Sequence, residues 1–217
     1  MSKQQIHTVY KLEDGTRVPS VTTYLGVLNK PALIHWAWEL GVQGLDYRKV
    51  RDAAGDTGTL VHYLILCDLK NMEPDLRDYS QTDITSTTVP MGKYFEWKAD
   101  HEVKPIVLET PMVSETYRFG GTPDFYGEVD GVLTLLDFKT SGAVYAENFY
   151  QLSAYWKLLE EHGEKPESAG ILRIGKTLDE GFEYRAAGKL DVHWDIFCAC
   201  QEIYELQKKL RRTKKDE

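Results

Sequence analysis

The chain has 217 residues, 42% hydrophobic and 12% aromatic, which suits one substantial packed core and is too apolar for a disordered chain. A net charge of −8 and a pI near 5.3 argue against a broad, permanent nucleic-acid clamp, but leave room for local grip on phosphates through a metal and a few Lys or Arg. No apolar run nears the roughly 20 residues of a membrane span, the N-terminus lacks a secretory apolar segment, and a cytoplasmic protein is expected. Three cysteines, Cys67, Cys198 and Cys200, make no disulfide framework, and Cys198-Ala-Cys200 has no second pair to complete a metal site, so buried, inert thiols are expected.

In chain order, "TVYKLEDGTRVP" predicts a short hairpin with Asp14-Gly15 in its turn. Ser20 is placed to cap a short helix in "PSVTTYLGVL". "NKPALIHWAWELG" predicts a second helix, with Pro31 at its first position and Gly41 as its stop. A third runs from about Thr57 to Lys70, where Leu60, Leu64 and Cys67 recur at helical spacing. "DYSQTDITSTTVP" reads as a polar loop, "GKYFEWKADHEV" as a helix and "KPIVLETPMVSE" as one strand. After a hairpin over residues 120–141 come a helix in "YAENFYQLSAYWKLLEEHG", two strands in "SAGILRIGKTLDEGFEYRAA", and a long helix capped by Asp191 that ends in the basic run "QKKLRRTKK". The pattern predicts an α/β fold, a mixed central sheet flanked by helices. A single domain is expected: residues 1–57 pack a hairpin and helices on the core, 58–190 form the core, and 191–217 add a helix and basic tail.

The hairpin "GGTPDFYGEVDGVLTLLDFKTS" holds charges among apolar neighbours. With Asp130-Gly131 as a two-residue turn, Val129 pairs with Val132, Asp124 falls opposite Asp137, and Lys139 falls opposite Thr122. Alternation puts Asp124, Asp137 and Lys139 on one face, with Leu136 and Phe138 on the other and Phe125 across from Leu136. Facing carboxylates destabilise a sheet unless one is protonated or a cation lies between them. Oxygen donors suit Mg²⁺ or Mn²⁺, which bind through one or two carboxylates plus substrate phosphate.

At these residues the sequence resembles the PD-(D/E)XK nuclease superfamily: Pro123-Asp124 in "TPDF" matches the first motif, and Asp137-Phe138-Lys139 in "LLDFKTS" the second. Gly58 and His62 in "GTLVHYL" resemble the G-x-x-x-H helix motif of RecB-like nucleases, and Gln151 and Tyr155 in "NFYQLSAYW" their Q-x-x-x-Y motif. The opening segment is similar to phage-type and mitochondrial genome-maintenance exonucleases of that branch. The resemblance implies a restriction-endonuclease-like core and a Mg²⁺- or Mn²⁺-dependent deoxyribonuclease. Within it, Asp124 and Asp137 hold metal, with the Phe138 carbonyl and His62 as further ligands. Lys139 positions or deprotonates the attacking water, and Gln151 and Tyr155 orient Lys139 or contact DNA phosphate. A further acid from the preceding strand is either Glu109 or Glu115, with Glu109 preferred. With three cysteines, the four-cysteine iron–sulfur cluster of some relatives is not expected. His35, His101, His162 and His193 are read as structural or surface residues.

The implied substrate is DNA, single- or double-stranded, in recombination, repair or phage DNA processing; an exonuclease is favoured over a structure-specific or restriction-type endonuclease or an inactive nuclease-fold binding module. A strand-annealing recombination protein is the partner suggested by analogy.

Overall fold

In the computed structural model, residues 8–216 are described. The extreme N-terminus, read above for a secretory segment, lies outside them, as do the side chains of Lys214 and Lys215 in the basic run. Strands β1 (Tyr10–Lys11) and β2 (Arg17–Val18) pair antiparallel around Gly15, whose φ is 81°. Helix α1 (Val21–Leu25) is capped by Ser20, whose hydroxyl accepts from the Thr23 N–H at 3.1 Å. Helix α2 (Pro31–Val42) passes through Gly41 and stops at Gly44, where φ is 74°. The left-handed turn, not the first glycine, ends the helix.

Helix α3 (Tyr47–Leu69) begins ten residues ahead of the predicted start at Thr57 and is capped by Asp46, which accepts from the Arg48 N–H at 2.9 Å. Residues 47–57 are mostly exposed, so no apolar stripe announced them. The predicted loop also differs. Residues 81–86 form α4 (Gln81–Ser86), held by a reciprocal capping box between Ser80 and Asp83. Helix α5 (Thr88–Ala99) follows.

The predicted single strand "KPIVLETPMVSE" is two. Strand β3 (Val103–Leu108) joins the central sheet, whereas β4 (Met112–Ser114) pairs with β5 (Phe119–Gly121) in a separate ribbon. Glu109, at φ 42°, turns the chain between them. Strands β6 (Phe125–Val129) and β7 (Val132–Lys139) form the predicted hairpin; then come α6 (Ala146–Glu161), β8 (Ser168–Ile174), β9 (Phe182–Ala186) and α7 (Asp191–Asp216). Asp191 is the first residue of α7 and sits in its first turn, one place past the capping position.

The central sheet has the order β3-β6-β7-β8-β9 and is mixed: β7 and β8 run parallel, and every other pair is antiparallel. A parallel neighbour needs a crossover, and α6 supplies it. Both sheet faces are covered. On one, Tyr126, Leu135 and Ile171 meet Leu152 and Leu158 of α6 and Phe197 of α7. On the other, Phe125, Leu136, Phe138 and Leu172 meet Val61 and Ile65 of α3 and Tyr94 of α5. Strand β7 is therefore apolar on both sides, and the charges it carries, Asp137 and Lys139, lie at its C-terminal end.

Candidate active site

The hairpin register is as counted: Val129 pairs with Val132 and Phe125 with Leu136, around Asp130 and Gly131 at φ 52° and 79°. These are the left-handed values of a type I′ turn. Beyond Phe125 the ladder stops. Asp124 turns its carboxylate in, and Oδ2 accepts from the Phe138 N–H at 2.8 Å, standing in for a backbone acceptor. The expected pairing of Lys139 with Thr122 does not form. Lys139 lies beside Arg173 of β8, and the Thr122 hydroxyl meets the Tyr10 hydroxyl at 2.7 Å. The separate β4–β5 ribbon draws residues 119–121 away from β7.

Asp137 has no exposed surface. Lys139 Nζ lies 2.6 Å from its Oδ2, yet neither carboxylate oxygen accepts an aligned hydrogen bond. Burial pushes the Asp137 carboxyl up to about 6, against the pull of Lys139 and with Asp124 adding to the rise. Burial also raises Asp124, opposed by Lys139 and the Phe138 N–H. For Lys139, burial disfavours the charge, but Asp137 and Asp124 outweigh it and hold the ammonium above its ordinary value.

Three elements bring a second set of donors to the same end of the sheet. His62 from α3, Glu109 from the end of β3 and Asp124 each offer an atom within 4.8 Å of the others. His62 Nδ1 is 3.7 Å from Asp124 Oδ1. Glu109 is tied in through its backbone, its N–H donating to the Asp124 carbonyl at 3.2 Å. Its positive φ places a non-glycine residue in a strained region, a cost of about 1–3 kcal/mol that clusters at functional sites. Burial first, then Asp124, push the Glu109 carboxyl up to about 7. Burial and Lys139 push His62 down to about 4, leaving a neutral imidazole, the form that binds metal. Glu115, the competing acid, is engaged elsewhere and accepts from the Glu13 N–H at 2.8 Å. The Phe138 carbonyl lies beside His62, where it favours the protonated ring.

On α6, Gln151 Nε2 donates to Tyr155 Oη at 2.7 Å, as their one-turn spacing requires. Burial, then Asp137 and Asp124, raise the Tyr155 phenol well above its ordinary value, which places its ring within the field of both acids. Gly121 makes room for that ring, since a Cβ there would sit 2.7 Å from Tyr155 Cε1. Gly58 does the same on the α3 side, where a Cβ would lie 2.7 Å from Thr140 Oγ1. Gly55, Gly58, Thr59, His62, Glu109 and Thr140 line an open cleft of about 440 Å³, so small α3 residues floor the approach to the acids.

Two residues at this end went unmarked in the sequence reading. Thr140 follows Lys139 into the cleft wall. Arg173 is 8% exposed, beside Lys139 in register, with Nε 3.3 Å from Glu183 Oε2 and Nη1 lacking an acceptor. A lone arginine inside the apolar run "ILRIG" was the available signal. The other described histidines stand apart: His35 pairs with Glu39, His101 with Asp130, His162 with the Leu158 carbonyl, and His193 packs on Phe149 and Tyr150. The three cysteines are free, Cys67 and Cys200 buried and Cys198 half-buried.

His62, Glu109 and Asp124 bring a neutral imidazole and two carboxyls together, the donor chemistry of a divalent-cation site rich in hard oxygen, and the buried Asp137 carboxylate lies within the field of His62 and Asp124. Burying the Asp137 carboxylate costs several kcal/mol on the order of the usual buried-charge penalty, which the Lys139 ammonium offsets in part. No described helix is long and apolar enough to cross a membrane.

No family model matches the chain, and no curated protein matches it. Among solved structures, the chain is similar to an alkaline exonuclease, LHK-Exo, from Laribacter hongkongensis, at 14% identity over 74% of this chain and 91% of that one, with a TM-score of 0.32.

Proposed function

We propose that the chain is a Mg²⁺- or Mn²⁺-dependent deoxyribonuclease that degrades DNA from its ends, with residues 58–190 as the catalytic core. The observation that carries this reading is Asp137: wholly buried, its oxygens accepting no hydrogen bond, and in contact with Lys139. Asp137 and Asp124 raise each other's cost against a single ammonium, Lys139, and a divalent cation would offset the negative charge that is left over. Asp124 and Asp137 would hold the ion, with His62, Glu109 and the Phe138 carbonyl as the remaining protein donors. When bound, a divalent cation supplies Lewis-acid stabilisation of phosphodiester charge and a water of lowered pKa.

The chain's own residues do the rest. Lys139, kept charged by the two acids, orients the attacking water and meets the negative charge that grows on the phosphoryl oxygens. Its side chain is 21% exposed, with the ammonium on the buried acid. Gln151 and Tyr155 form a hydrogen-bonded pair that fixes the wall beside Lys139 and offers the Gln151 amide to a phosphate oxygen. Gly55, with open space where a side chain would stand, lets a sugar–phosphate backbone approach α3 closely.

The test is a digest of end-labelled linear single- and double-stranded DNA beside a closed circle, with Mn²⁺ or EDTA. Linear DNA should be degraded only with the ion, and the circle should survive. Asp137→Asn and Lys139→Ala should each abolish cleavage while the circular dichroism spectrum is kept. Cutting of the circle would make the enzyme an endonuclease. Wild-type cleavage by both variants would remove the site from the reaction. Absence of Mn²⁺ binding by calorimetry would leave an inactive scaffold.

A further inference from the structure

Helix α7 has two apolar faces. Trp194, Phe197, Cys200 and Tyr204 pack into the core beside α1 and α6. Val192, Ile196, Ala199, Ile203, Leu206 and Leu210 form the second. Of these, Val192, Ile203, Leu206 and Leu210 are 66%, 44%, 55% and 59% exposed. Ala199 is exposed, and Ile196, half-buried at the stripe's edge, also packs in part against the core. The steps between the six alternate four and three residues, which is the seam spacing of paired helices. At 3.6 residues per turn they fall within a stripe about 80° wide, on the side away from the core. From Val192 to Leu210 the stripe runs about 27 Å.

We propose that this face binds the same face of a second copy of the chain, with the two α7 helices antiparallel about a two-fold axis near residue 201. The charges beside the seam select this occupant. Asp195, Glu202 and Lys209, all exposed, follow one another at seven-residue steps along one flank. In the antiparallel pair, Val192 meets Leu210 of the partner subunit, Ile196 meets Leu206 of the partner subunit, and Ala199 meets Ile203 of the partner subunit. Each contact occurs twice, as a two-fold axis demands. The same register brings Asp195 to Lys209 of the partner subunit, again twice. A parallel pair would set Asp195 and Glu202 against Cys200 and Gln207, with no opposite charge to meet. Because the stripe points away from the core, the two bodies fall on opposite sides of the helix pair. Glu202 meets its own copy across the axis, the one repulsive contact in the arrangement. The inference is independent of the nuclease reading.

Sedimentation equilibrium of the full chain over a dilution series tests it. A monomer–dimer equilibrium is expected. Leu206→Asp, at an exposed position, should give a monomer with unaltered thermal unfolding at low concentration. Asp195→Lys should weaken association roughly ten-fold, as two opposite-charge contacts become like-charge ones. Asp195→Lys combined with Lys209→Asp should restore it, and Glu202→Gln should tighten it. A wild type that stays monomeric throughout, a trimer, or a dimer indifferent to Leu206→Asp would overturn the proposal. Failure of the charge swap to restore association would overturn the antiparallel geometry.

Discussion

Replacing Glu109 with Gln should stabilise the metal-free protein at alkaline pH and leave it unchanged in acid. Burial and Asp124 raise this carboxyl from 4.5 to about 7. A folded pKa above the unfolded one means the folded chain holds the extra proton. The stability from that proton is whole below about pH 4.5 and is lost as pH rises through about 7. The interval corresponds to about 3 kcal/mol, reduced to about 2 kcal/mol because Glu109 is only half-buried and solvent screens it. Gln keeps the shape and the positive φ, so backbone strain cancels in the comparison. In EDTA, urea unfolding should show the variant about 2 kcal/mol more stable at pH 8, with equal slopes, and equal to wild type at pH 4.5. The melting temperature at pH 8 should rise by roughly 4–8 °C. Mn²⁺ should then narrow or reverse the gap, because the wild type gains more from binding. A gap of the same size at both pH values, or a destabilised variant at pH 8, would refute the assignment of Glu109 to a repulsive carboxylate pair.

His62 carries the opposite sign: its folded pKa of about 4 lies below 6.5, so its contribution is whole above about pH 6.5 and lost as pH falls toward 4. His62→Gln should therefore flatten the acid limb of the stability profile, measured by urea unfolding at pH 7 and 4.5. Gly121→Ala should cost about 1–3 kcal/mol and disturb Tyr155, since the new methyl would fall 2.7 Å from Tyr155 Cε1 and 2.8 Å from Leu158 Cδ1; chemical denaturation and near-ultraviolet dichroism both report it. Ser80→Ala should cost about 1 kcal/mol by breaking the α4 capping box, visible as a lower urea midpoint with nuclease activity kept.

Features that depend on neighbours in the chain were legible from residue order. Asp130-Gly131 set the β6–β7 register because only a tight left-handed turn joins strands two residues apart, and alternation then assigned Phe125, Leu136 and Phe138 to one core. Ser20 and Pro31 marked helix starts through backbone chemistry of their own. Gln151 and Tyr155 met because one helical turn separates them. Where those local signals were silent, the reading failed: α3 begins in exposed residues with no apolar period, and α4 is held by a capping box within a polar run.

Contacts between distant segments were decided by the fold. Only the packed chain separates β3 from β4 at Glu109, sends Glu109 to His62 and Asp124, and leaves Glu115 on Glu13. Only there does Asp124 leave the ladder, and only there does Lys139 take Arg173 as its neighbour in place of Thr122. Periodicity tells which side of a strand a residue faces. It carries no information on which strand lies alongside, because that choice belongs to loop closure and to the burial shared by whole layers.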